Sequence, residues 1–119
     1  MARIMIADDS DAIRMVLKDI LVIGKHELVA EASNGMDAFE QFKKTNPDVV
    51  LLDVAMPKKD GLSVLKDIIA YKSVAKVIMV TASDNQVTMR ECIKVGAVAY
   101  ILKPFNFEDV LRKISEYLS

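Results

Sequence analysis

Five short apolar runs punctuate the chain at regular intervals: RIMIAD (3–8), ELVAEAS (27–33), DVVLLD (48–53), KVIMVTA (76–82) and VAYILK (98–103). Each has the length of a strand and a core of residues that favour one. Between them, apolar residues recur at helical spacing: Ile13, Leu17, Ile20 and Leu21; Ala38, Phe39 and Phe42; Leu62, Leu65, Ile68 and Ile69; Met89, Cys92 and Ile93; Val110, Leu111, Ile114 and Leu118. Gly24, Asn46-Pro47, Gly61, Gly96 and Pro104 mark the joints. Strict alternation of strand and helix with short connections requires parallel strands joined by helical crossovers, and VVLL reads as a strand buried on both faces. The expected fold is α/β: a doubly wound (βα)5 sandwich, one five-stranded parallel sheet with helices on both faces.

A chain of 119 residues is the size of one domain, expected here over 1–119. Its 52% hydrophobic and 28% charged residues suit a folded chain. Sixteen basic against 17 acidic residues leave a net charge of -1, so no overall charge favours nucleic acid or an acidic membrane. Cys92 is the only cysteine and can form no internal disulfide, and no run approaches a signal peptide or an 18-residue apolar span. These features predict a cytoplasmic protein without membrane insertion.

In a sheet of this kind ligands bind beyond the carboxyl ends of the strands, where the strand order reverses. The first run ends in Asp8-Asp9, the third in Asp53, the fourth in Thr81 and the fifth in Lys103-Pro104. Each alone has an ordinary reading. Asp9-Ser10 can be a helix N-cap, Asp53 an exposed strand end, Thr81 a plain β residue and Lys103 a solvated cation. Together they differ, because three neighbouring carboxylates repel one another unless a cation joins them. All-oxygen donors at an open, hydrated site favour Mg²⁺, with Mn²⁺ as the alternative, over zinc.

These residues carry a resemblance across essentially the whole chain. The acidic pair Asp8-Asp9, Asp53 in LLDVAMPKKDG, Thr81 in VTAS and Lys103 in ILKPF are similar to the motifs of response-regulator receiver domains of the CheY type. The resemblance implies a flavodoxin-like sheet of order 2-1-3-4-5. It implies a phosphorylation-dependent switch of a two-component system, in which Asp53 accepts a phosphoryl group from a histidine kinase or phosphotransfer protein. By the same resemblance Asp9, Asp53 and the backbone carbonyl of Ala55 would hold Mg²⁺, with Asp8 acting mainly through a bound water. Lys103 would pair with Asp53 and then with the phosphoryl oxygens, Thr81 would hydrogen-bond those oxygens, and Thr81 with Tyr100 would form a switch pair. Such a protein is a regulator rather than an enzyme, although it would catalyse its own phosphotransfer and dephosphorylation. Ala55 and Ser83 stand where side chains in this family affect hydrolysis rate, and Ala55 offers only a methyl group.

A monomer is expected to meet its downstream protein through the face made by the fourth helix, fifth strand and fifth helix, without direct contact to nucleic acid. A stand-alone regulator is the simplest reading of the chain. A receiver cut from a larger regulator such as a transcription factor and a pseudo-receiver that binds without phosphotransfer are the alternatives. A flavodoxin-like cofactor protein is disfavoured, because DDSDAI (8–13) would repel a phosphate where such a protein needs a Gly- or Ser/Thr-rich loop. The remaining conspicuous residues read as structural: His26 as a solvated surface residue, Cys92 as a packed thiol on the stripe with Met89 and Ile93, and Lys58-Lys59 as bordering the site or solvent.

Overall fold

The computed structural model describes residues 2–82 and 85–118. The five runs form β1 (Arg3–Ala7), β2 (Glu27–Ala32), β3 (Val49–Asp53), β4 (Val77–Thr81) and β5 (Ala99–Leu102). The helices α1 (Asp11–Ile23), α2 (Gly35–Thr45), α3 (Gly61–Tyr71), α4 (Gln86–Val95) and α5 (Phe107–Glu116) alternate with them. The strands pair in parallel in the order β2-β1-β3-β4-β5, as expected.

Two cores lie on opposite faces of the sheet because successive strand residues point in opposite directions. Met5, Val50, Leu52, Val77 and Met79 face one way and pack with Ala38 and Phe42 of α2, Val64, Leu65 and Ile68 of α3, and Cys92 of α4. Ile4, Ile6, Val49, Leu51, Ile78 and Val80 face the other way and meet Leu17, Ile20 and Leu21 of α1 with Val110 and Ile114 of α5. Every residue of β3 and β4 is buried, whereas Tyr100 and Leu102 of β5, on the sheet edge, are exposed. Among the described residues, no helix is long and apolar enough to cross a membrane.

Local signals end the elements, with two departures from expectation, at His26 and on α4. Ser10, not Asp9, caps α1, its Oγ accepting from the Ile13 N–H at 3.2 Å, and so Asp9 is left for other work. His26 is half-buried rather than solvated: its Nδ1 accepts the Ala2 N–H at 3.0 Å, and burial lowers its pKa. On α4 only Cys92 of the expected stripe is buried, and Ile93 is exposed, lining an open cleft beside Tyr100 of the edge strand.

Gly61 opens α3 directly against the end of β3. A Cβ there would stand 2.0 Å from the Asp53 carbonyl oxygen, far inside any real contact, and the Gly61 N–H donates to the Val54 carbonyl at 2.7 Å. Gly61→Ala is therefore expected to destabilise the fold by about 3 kcal/mol or more, since the clash is with backbone that cannot rotate away. A urea midpoint equal to that of the unsubstituted protein would contradict this close approach.

Candidate functional site

The carboxyl ends of β1, β3, β4 and β5 meet at one rim. One carboxylate oxygen from each of Asp8, Asp9 and Asp53 lies within 4.8 Å of the others. Asp8 and Asp53 are buried, at 1% and 5% exposure, whereas Asp9 is exposed. Thr81 ends β4 at 3% exposure, and the Lys103 N–H donates to the Thr81 carbonyl at 2.8 Å, which ties the ends of β4 and β5 together.

Among the described residues, Lys103 is the cation in direct contact with the clustered carboxylates. Lys103 Nζ donates to Asp8 Oδ2 at 2.8 Å and lies 3.5 Å from Asp53 Oδ1. Asp8 Oδ1 accepts the Ser10 N–H at 2.9 Å, so both Asp8 oxygens are engaged. Among the described residues, no buried side-chain nitrogen or oxygen lacks a partner.

Asp53 nevertheless holds its proton unusually well. Burial and then the negative charge of Asp8 push its pKa up from 3.8 to about 6, with Asp9 adding to the rise, against the pull of Lys103 and the Ala55 N–H. A second positive charge would relieve this repulsion. The donors are all oxygens, two of the three carboxylates are not saturated by hydrogen bonds, and Asp9 opens to water; this set fits a small hard cation such as Mg²⁺ that retains waters.

The loop after β3 is stitched down on its outer side. The Pro57 carbonyl accepts the Gly35 N–H at 3.3 Å and the Lys59 N–H at 2.8 Å, and Asp60 caps α3 through the Ser63 N–H at 2.8 Å. Met56 is buried and Ala55 exposed. Lys58 is exposed and Lys59 pairs with Asp67, both bordering a cleft of about 550 Å³ with Met36 and Phe39, as a position beside site or solvent predicted.

Tyr100 belongs to β5, the edge strand of the sheet. It pairs in register with Met79, and residues 79 and 81 share a sheet face, so Tyr100 and Thr81 lie on the side covered by α4. Tyr100 is 39% exposed and lines an open cleft of about 220 Å³ with Gln86, Met89, Arg90 and Ile93. Ser83 lies outside the described residues. Arg14, which the sequence did not single out, borders the site through the Asp8 carbonyl and pairs with Glu31 across 17 residues, a partnership that no periodicity signals.

A family model described as the response regulator receiver domain matches residues 4–115. The chemotaxis protein CheY of Bacillus subtilis is 42% identical over 117 residues, covering 98% of either chain. The transcriptional regulatory protein PdtaR of Mycobacterium tuberculosis is 36% identical over 112 residues, 94% of this chain but 54% of that protein. The crystal structure of a CheX-CheY-BeF3-Mg²⁺ complex from Borrelia burgdorferi is similar at a TM-score of 0.92 and 30% identity, covering 96% of this chain and 87% of that one. With the sheet order, the rim of acids and nearly full-length similarity in agreement, the chain belongs to the response-regulator receiver domains and is a CheY-like receiver of a two-component system.

Proposed function

We propose that Asp53 is the phosphoryl acceptor, and that the phosphohistidine of a sensor kinase or phosphotransfer protein is the donor. The observation that carries this reading is a buried carboxylate at the end of a rigid central strand, ringed by Asp8, Asp9 and Lys103. An Asp53 oxygen attacks phosphorus in line, forming the O–P bond of an acyl phosphate as the P–N bond to imidazole breaks and the imidazole leaves with its electron pair. Asp9, Asp53 and the Ala55 carbonyl would hold Mg²⁺, and Asp8 would act through a bound water, consistent with its two engaged oxygens. The ion, when bound, neutralises charge on the phosphoryl oxygens. Lys103 gives up its contact with Asp53 to pair with a phosphoryl oxygen, and the Thr81 hydroxyl donates to another. Hydrolysis by water then resets the switch without a second protein. Treatment with a small-molecule acyl phosphate and Mg²⁺, followed by intact mass, tests this: one added phosphoryl group supports it, and no gain in mass refutes it.

Transmission would run through Thr81 to Tyr100 on the sheet face they share, and from there to a downstream protein on the α4, β5 and α5 surface of a monomer. Phosphorylation shifts that surface only as far as it interacts differently with its two states. Thr81→Ala should therefore weaken the coupling of phosphorylation to partner binding more than phosphorylation itself. Partner affinity measured with and without phosphodonor provides the check, and an undiminished affinity ratio in both Thr81→Ala and Tyr100→Ala would rule the pair out.

A further inference from the structure

Arg14 sits on the first turns of α1 with its side chain only 12% exposed, and its guanidinium donates in three directions. Nη1 meets the Asp8 carbonyl at 2.6 Å, Nε meets Glu31 Oε2 on β2 at 2.8 Å, and Nη2 pairs with the Asp11 carboxylate. The Arg14 N–H also donates to the Ser10 carbonyl at 3.0 Å. Glu31 is itself pinned from the other side, Lys18 Nζ standing 2.9 Å from Oε1. Burial raises the pKa of Glu31, but the hydrogen bonds from Lys18 and Arg14 outweigh it and hold it below the ordinary value.

The carbonyl that Arg14 grips belongs to the peptide joining Asp8 to Asp9. That peptide is planar, so fixing its oxygen fixes the turn by which the chain enters Asp9. Among the described residues, the Asp9 carboxylate itself takes no hydrogen bond or ion pair. Its direction is therefore set by the backbone that carries it. The other end of the same turn is held by the Asp8 N–H, which donates to the Ala32 carbonyl at 3.1 Å. A planar fork that bonds a carbonyl and two carboxylates at once is something arginine provides and lysine does not.

We propose that Arg14 is a positioning residue for the metal site, aiming the Asp9 carboxylate at the cation by clamping the Asp8–Asp9 peptide between α1 and β2. This rests on the reading of Asp9 as a ligand of Mg²⁺. Electrostatics and positioning predict opposite signs. Arg14 is a positive charge beside the site, so its loss should tighten cation binding if charge alone mattered. If its work is to hold the ligand loop, its loss should weaken binding.

The test is the affinity of the intact protein for Mn²⁺, read by electron paramagnetic resonance of the free ion, with Mg²⁺ in competition. Arg14→Ala should raise both dissociation constants about tenfold or more, as loss of a group that orients a metal ligand commonly does. Arg14→Lys should recover only part of that loss, and folds even where the alanine variant does not. Leu21→Val, a change in the buried face of the same helix at its far end, should lower the melting temperature in chelator but leave both constants unchanged. Unchanged or tighter binding by Arg14→Ala or Arg14→Lys overturns the proposal, and so does equal weakening by Leu21→Val. If the unsubstituted protein binds neither ion, the metal reading itself fails and the proposal falls with it.

Discussion

Asp53→Asn is expected to take up no phosphoryl group under conditions that label the unsubstituted protein to completion. The amide at that position retains the shape of the side chain but lacks the anionic oxygen that, in the proposed reaction, would attack phosphorus. Asp9→Ala, which leaves the nucleophile intact, should slow labelling without abolishing it at high Mg²⁺. Intact mass separates the two outcomes. Labelling of Asp53→Asn at the rate of the parent would remove Asp53 from the chemistry, whereas undiminished labelling of Asp9→Ala would remove Asp9 from it.

The second large effect is on stability, because the clustered acids repel one another and a bound cation would relieve that repulsion. Asp53 titrates at about 6 in the folded chain against 3.8 ordinarily, so the folded state binds the extra proton between those values. Its share of stability is therefore highest below 3.8 and declines as pH rises through about 6, reaching a penalty of about 3 kcal/mol at neutral pH. Asp53→Asn should remove most of that penalty and be more stable than the parent at pH 7 in chelator, by about 2 to 3 kcal/mol. At pH 4 the two should nearly coincide. The difference between them isolates Asp53 from Glu31 and His26, whose pKa values are lowered and whose contributions fade as pH falls. Mg²⁺ should return about 2.7 kcal/mol to the parent at a hundredfold excess over its dissociation constant, and much less to the variant. Urea unfolding at pH 4 and pH 7, with chelator and with Mg²⁺, gives all of these quantities. A parent that is more stable than Asp53→Asn at pH 7 in chelator would show that Lys103 more than compensates the acids.

The clustering explains why a central strand ends on an acid at all. Burial of Asp53 at 5% exposure opposes folding, and the strand supplies in return a rigid mount for a carboxylate between two other acids and a lysine. Stability is given up at the position where a cation and a phosphoryl group would restore it.

Most of this architecture was legible in the sequence. The alternation of apolar runs with helically spaced residues determined the class of fold, because period-two burial and helical burial are local properties of the chain. Since parallel strands all finish on one side of the sheet, Asp8, Asp9, Asp53, Thr81 and Lys103 could be assigned to a common rim from their positions at the ends of runs. The order of the strands came from resemblance, and the sheet agrees with it.

Partnerships inside the rim were decided only by the tertiary structure. Lys103 meets Asp8 across 95 residues, and Arg14 meets Glu31 across 17, and no periodic pattern records which charge answers which. The rise in the pKa of Asp53 needs the burial and distances of the assembled site. His26 looked solvated, yet folding brings the Ala2 N–H, from the chain just before β1, against its ring. Ile93 looked like core, yet it lines an open cleft beside Tyr100 of the edge strand, and Cys92 is the buried residue of α4. Spacing along a chain specifies which way a side chain points, whereas what it meets there depends on elements far away in sequence, and that is where packing, not pattern, settled the site.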